Sequence, residues 1–224
     1  MKTQIAVGLI GIALLLSSGV GAAPLASKDS VQVESTLSAA GASSQETNLG
    51  DLIADAVRQT AGADVALVAA DEIDENKRIP AGKADTSTIV SALSFADDTS
   101  DTVVILNLTG SQLISAAERS VSRAPQSFDG FMQISGLQIR YNPSQSEGKR
   151  VSLVGVSGSE IQANKTYQVA TTRPVAGGSL GYFQIWKSKD IASDTGVSIA
   201  KSLTSYLESH RTITNSIEGR ISTH

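Results

Sequence analysis

Apolar residues along this chain alternate between a helical period and a strand period, and the elements they predict set the fold class. Leu49, Leu52, Ile53, Ala56 and Val57 fall on one helical face, with Asn48 placed to cap the free amides of the first turn. Residues 65–68 predict a short buried strand, and residues 102–108 a second, rich in β-branched side chains that suit a pleated surface. Between them, residues 88–93 predict a short helix. Thr109 and Gln112 have capping-box spacing ahead of Leu113, Ile114, Ala117 and Val121, so the second strand runs straight into a second amphipathic helix. Leu137, Ile139 and Tyr141 alternate until Asn142 and Pro143 close the strand. Residues 151–156 and 167–171 supply two more, giving a sheet of at least five strands. A last helix carries Val197, Ala200, Leu203 and Leu207 on one face and ends near His210.

The first 44 residues follow neither period. Lys2, an apolar run over residues 5–16 and small residues to Ala22 make a signal-peptide pattern, residues 1–22, with cleavage after Ala22. The domain is therefore expected in the periplasm or secreted. The alternative is an uncleaved anchor, the only route by which a membrane enters the picture. Residues 23–44 are rich in Ser and Ala and read as a linker or a loosely attached strand, leaving residues 45–224 as one folded domain. The 224-residue chain carries a net charge of -4 and no basic run that could follow a phosphate backbone, which argues against nucleic acid as a partner. With no cysteine, disulfides, thiolate metal sites and a cysteine nucleophile are excluded.

Several motifs, in order and at matching spacing, resemble one family. They are Glu46-Thr47-Asn48-Leu49-Gly50-Asp51-Leu52-Ile53-Ala54-Asp55-Ala56, Ala63-Asp64, Ile79-Pro80-Ala81-Gly82, Leu108-Thr109-Gly110-Ser111-Gln112, Phe131-Met132-Gln133-Ile134-Ser135-Gly136, Lys165-Thr166-Tyr167 and Glu218-Gly219-Arg220-Ile221. The chain resembles the C-terminal domain of 5'-nucleotidases. That resemblance implies an α+β fold of mixed β-sheets layered with helices, and a domain that holds the substrate nucleoside beside a metallophosphatase domain with two metal ions. A two-metal site needs several histidines and carboxylates around metals about 4 Å apart. This sequence has two histidines, of which His224 is the last residue and His210 sits at a helix end, where it suits the helix dipole. No resident metal or other cofactor is expected.

The family's substrate grips, carried over position by position, are partly lost. An arginine before the opening motif falls on Gln45. The loop resembling Asn-Gly-Gly-Gly-Ile-Arg falls on residues 69–74, placing Ala69 at the asparagine and Asp74 at the arginine. An acidic side chain there repels the phosphate an arginine would pair with. Of two rings that sandwich the base, one falls on Phe95 and the other on Tyr182 or Phe183, the register being shifted by Gly177-Gly178-Ser179-Leu180-Gly181. The residues thus predict a non-catalytic module for a nucleoside-like or other planar small molecule, or one that docks on a separate metallophosphatase chain as half of a split 5'-nucleotidase.

Two other constellations bear on chemistry. Gly177-Gly178-Ser179-Leu180-Gly181 matches a nucleophile elbow, and Asp190 or Asp194 followed by His210 gives a serine-hydrolase chain order, so Ser179 and His210 are the alternative catalytic pair. Against it, residues 172–176 separate the serine from the preceding strand. Asp71, Glu72, Asp74 and Glu75 cluster as oxygen ligands would, but lack a glycine-pinned calcium-loop spacing, and read as a solvated acidic loop.

Overall fold

The computed structural model describes residues 29–224, so the signal-peptide segment lies outside the described residues. The chain begins with strands β1 (Ser30–Val33) and β2 (Leu37–Ser38), then helix α1 (Asn48–Ala61). Strands β3 (Val65–Ala69), β4 (Arg78–Ile79) and β5 (Gly82–Asp85) precede the short helix α2 (Thr86–Val90). Strand β6 (Thr102–Thr109) leads directly into α3 (Gly110–Ser120). Strands β7 (Met132–Ser135), β8 (Leu137–Tyr141), β9 (Val151–Val156), β10 (Ser159–Glu160) and β11 (Thr166–Thr172) follow. The chain ends through α4 (Arg173–Ala176), β12 (Ile191–Ser198), α5 (Ile199–Ser209), β13 (Thr212–Ile213) and β14 (Ile221–Thr223).

A five-stranded sheet in the order β12-β6-β11-β3-β7 forms the centre, with β3 and β11 its parallel pair. Both faces are covered, which explains why β3 is apolar at every position. Its Val65, Leu67 and Ala69 face one core with α3 and the β10-β9-β8-β14 sheet. Ala66 and Val68 face the other, with α1, α5 and the β13-β1-β5 sheet. Helix and sheet layers alternate as the α+β expectation required.

The segment expected to be a linker departs from that reading within the described residues. Val31, Val33, Leu37, Ala39 and Ala42 are buried, and β1 sits between β5 and β13. Five apolar side chains spaced among serines are enough to anchor it, because α1, α2 and α5 leave an apolar surface for them to cover. The cap of α1 is also one residue earlier than expected. Thr47 accepts the Gly50 amide, while Asn48 turns back to bond Ser38 N and Thr36 O. The Thr109–Gln112 capping box forms as its spacing predicts. Val197 lies in β12 rather than on the last helix, which starts beyond the Ser198 cap.

The opening of α1 is fixed to the sheet by one buried amide. Gln133 on β7 accepts Thr47 N at 2.9 Å and donates to Ala42 O and Gln45 O, both at 2.8 Å. A side-chain carbon at Gly50 would occupy the space of the Gln133 carboxamide, so the helix approaches only as glycine. Glu46 then fastens the far end of the chain, accepting the amides of Glu218, Gly219 and Ile221. Gly50→Ala and Gln133→Leu should each lose about 1–3 kcal/mol, by overpacking and by stranding buried polar groups respectively. Urea denaturation should show a lower midpoint for both, and an unchanged midpoint would contradict the role given to Gln133.

Candidate ligand-binding site

The parallel strands β3 and β11 end at Ala69 and Thr172, and the antiparallel β6 and β7 begin at Thr102 and Met132. All four termini lie at one end of the central sheet, where open sheets gather ligand-binding loops beyond the carboxyl ends of parallel strands. Backbone bonds tie the loops together there: Ala70 N donates to Phe131 O, Asp71 N to Asp129 O, and Ser94 N to Glu72 O. Ile73 and Leu93 form a bridge between two of them. Three of the segments singled out from the sequence, residues 69–75, 93–98 and 172–183, therefore belong to one end of the sheet.

Burial separates the two ring alternatives. Tyr182 is 0% exposed, stacks on Trp186 with ring centroids 4.8 Å apart, and donates its hydroxyl to Gly130 O at 2.9 Å. It is a core residue whose polar tip is satisfied internally, and no face of it is left for a ligand. Phe183 is 56% exposed, with the Lys187 ammonium 5.9 Å from its ring centroid, and Phe95 is 53% exposed, so both rings are open to solvent. The one-residue difference in direction comes from the loop before them. Gly178 and Gly181 adopt φ of 94° and 88°, and Leu180 is held at 56° by Arg119, which donates to its carbonyl at 2.7 and 3.0 Å. Phe183 N closes onto Gly178 O, and a Cβ at Gly178 would meet the Phe183 backbone, so the glycine sets where that ring stands.

The other carried-over positions offer no cation. Ala69 is fully buried at the end of β3. Asp74 is spent on a local turn, accepting Asn76 N and Nδ2. Gln45 is exposed and its amide reaches Ala40 O at 3.4 Å. The alternative catalytic pair is not assembled by hydrogen bonding among the described residues. Ser179 Oγ is buried without a hydrogen-bond partner. His210 stacks on Tyr206 and its Nδ1 is engaged by Tyr206 O and Ser209 Oγ. Asp194 pairs with Arg173, and Asp190 accepts Lys187 N.

The acidic loop is not uniformly solvated, contrary to its sequence reading. Glu72 is 3% exposed, accepts the Thr172 hydroxyl at 3.0 Å, and shares a buried site with Asp101, which accepts Arg173 N at 3.2 Å. Burial, then the charge and hydrogen bond of Asp101, hold the Glu72 carboxyl protonated well above the usual range. Burial raises Asp101 and Asp71 as well. A pattern of four acids in five positions gave no hint that the second points inward; only the packing of β6 and β11 over it decides that. Among the described residues no group of three or more His, Cys, Asp or Glu side chains is placed to hold a metal ion. A Glu72 carboxyl whose folded value is raised to about 8 stabilises the fold most below its unfolded value and loses that contribution as pH rises through about 8. Thermal melts between about pH 5 and 9 should therefore show stability falling toward alkaline pH, with a shallower fall in Glu72→Gln; parallel curves would refute the assignment.

Comparison with known proteins agrees with this architecture. The family model for "5'-nucleotidase, C-terminal domain" matches residues 23–188. A 5'-nucleotidase of Diplobatis ommata is 28% identical over 148 residues, which are 62% of this chain and 25% of that protein. The crystal structure of a 5'-nucleotidase precursor from Thermus thermophilus superposes with a TM-score of 0.77 at 28% identity, covering 86% of this chain and 39% of that one. The NAD nucleotidase of Haemophilus influenzae, at 19% identity and a TM-score of 0.73 over 87% of this chain and 37% of its own, shares the fold. The chain thus spans about a quarter of the Diplobatis relative's length, and with the family model covering well over half of it, it belongs to the 5'-nucleotidase C-terminal domain family.

Proposed function

We propose that this chain is an exported binding module that holds a planar small molecule, nucleoside-like in shape, between the rings of Phe95 and Phe183, and that it does not hydrolyse nucleotides by itself. The observation that carries the reading is the pair of large apolar rings, each more than half exposed, on loops tied to the same end of the central sheet. Rings presented this way can stack a planar group for about 1–3 kcal/mol each. The loss of cationic grips at Gln45 and Asp74 favours a ligand without a phosphate, because a carboxylate at the rim repels an anion.

The second reading is a split 5'-nucleotidase, in which this domain presents a nucleotide to a metallophosphatase supplied by another polypeptide. The family membership favours it, since the relatives whose length this chain only partly spans are named as nucleotidases. A serine-hydrolase reading through Ser179 is disfavoured by the unpartnered Ser179 hydroxyl and by the engagement of His210 with its own helix.

A panel of nucleosides, nucleotides and planar dyes, followed by thermal shift, should give a stabilising hit among uncharged planar compounds. Phe95→Ala or Phe183→Ala should weaken that hit by roughly fivefold to a hundredfold. Tyr182→Phe should leave it unchanged while lowering the melting temperature. Nucleotide turnover by the pure protein in the presence of Mn²⁺ would sink the binding-module reading. Turnover that requires an added metallophosphatase would establish the split enzyme instead.

A further inference from the structure

A second cleft lies at the opposite end of the central sheet from the exposed rings. The register of β3 and β7 pairs Ala69 with Met132 at the ring end and Ala66 with Ser135 at the other, so Gly136 marks the far end. There, the C-terminal half of α1, the β7–β8 junction, the β9–β10 hairpin and the segment leading into β14 surround a cleft of about 340 Å³. That volume is in the range of small-molecule sites, roughly 300–1,000 Å³.

Its chemistry centres on Arg58. The side-chain stem lies against Gly136, whose φ of 71° and missing Cβ make room for it. The Nε donates to Ser135 Oγ at 2.7 Å, and Ser135 donates in turn to Asp55 Oδ1 at 2.6 Å. Asp55 is committed elsewhere, because Arg220 grips both of its oxygens at 2.8 and 3.0 Å, while the Nε of Arg220 bonds Glu218 at 3.0 Å. Arg58 is therefore oriented through one edge of its guanidinium. Its two terminal nitrogens have no hydrogen-bond or ion-pair partner among the described residues. A half-buried guanidinium held through its Nε at a cleft, with Asp55 paired to Arg220, presents two terminal nitrogens as donors that no oxygen of the described residues occupies.

The rest of the wall narrows the ligand class. Gly155 and Gly158 contribute no side chains, and Gln138 and Ser157 bring a carboxamide and a hydroxyl that no protein group satisfies among the described residues. The formal charges of Arg58 and Arg220 are balanced by Asp55 and Glu218, so any attraction for an anion is local to the open edge of Arg58, and a multiply charged anion would be repelled by the two carboxylates. The terminal edge of a guanidinium matches the two coplanar oxygens of a carboxylate.

We infer that this cleft is a binding site for a small polar carboxylate, of amino-acid or hydroxy-acid size, with the carboxylate on the terminal nitrogens of Arg58 and the remaining polar groups on Gln138 and Ser157. The site is distinct from the ring pair and stands or falls independently of it.

Nitrogen–proton correlation spectra of the full chain, titrated with acetate, lactate and glycine at fixed pH and ionic strength, test the inference. Saturable shifts are expected at the amides of Gly136 and of residues 155–158 with a carboxylate, and not with matched chloride. Arg58→Gln should weaken the binding by about tenfold or more, with the dispersed spectrum reporting that the fold survives. Should that variant not fold, Gln138→Glu at the exposed wall places a repelling charge in the cleft and should weaken binding in the same direction. Absence of saturable shifts with every carboxylate, or binding that persists unchanged in a folded Arg58→Gln or in Gln138→Glu, would overturn it. Stronger saturation by inorganic phosphate than by the carboxylates would overturn the ligand class.

Discussion

The buried carboxamide of Gln133 is the constraint on which the arrangement of this domain depends. One side chain, fully enclosed, joins an edge strand of the central sheet to the turn that precedes α1 and to the cap of that helix. Each buried polar group it satisfies would cost about 1–3 kcal/mol if abandoned, a large share of the margin by which a domain is stable. Because Gly50 allows the helix to come this close, Glu46 reaches the chain's last strand, and Asp51 and Asp55 meet Arg220. Asp51 is buried so completely that, despite Arg220 beside it, its carboxyl is pushed up to about 9. The helix is thus docked through polar contacts whose geometry permits one position, while apolar packing supplies the bulk of the attraction.

That docking gives the two ends of the sheet different chemistry. At one end the loops carry acids and exposed rings, and the arginine that serves the loop architecture, Arg119, is consumed by the Leu180 carbonyl and by the Phe128 ring 4.5 Å away. At the other, Arg58 keeps its terminal nitrogens open while Arg220 is shared by Asp55 and Glu218. The open guanidinium of Arg58 thus lies at the opposite end of the central sheet from the loops that carry Phe95 and Phe183.

Much of the fold was legible because its signals were local. The Thr109–Gln112 box, the alternation over Leu137, Ile139 and Tyr141, and the helical face from Leu49 to Val57 each specify an element without reference to the rest. What escaped was decided by tertiary partners. Strand β12, with the sequence Ile-Ala-Ser-Asp-Thr-Gly-Val-Ser, is a polar edge held by pairing to β6 through two register shifts, so it carries no periodicity to read. The segment before residue 45 looked polar because only a few of its side chains turn inward. Tyr182 and Phe183, adjacent in sequence, point in opposite directions, inward and outward, and the left-handed Leu180 and Gly181 ahead of them leave no local signal that tells the two apart. The inward turn of Glu72 and the open guanidinium of Arg58 depend on neighbours far away along the chain.

The central position of β1 has a consequence for how the molecule comes into being. Its two neighbours are β5 and the parallel β13, whose Thr212 and Ile213 pair with Gln32 and Val33. The first described strand cannot be flanked on both sides until nearly the whole chain is available, which raises the entropy of closure and slows assembly. Closure of this sheet therefore waits for most of the chain. Until then, the apolar faces of α1 and α5 that cover this sheet remain open to solvent.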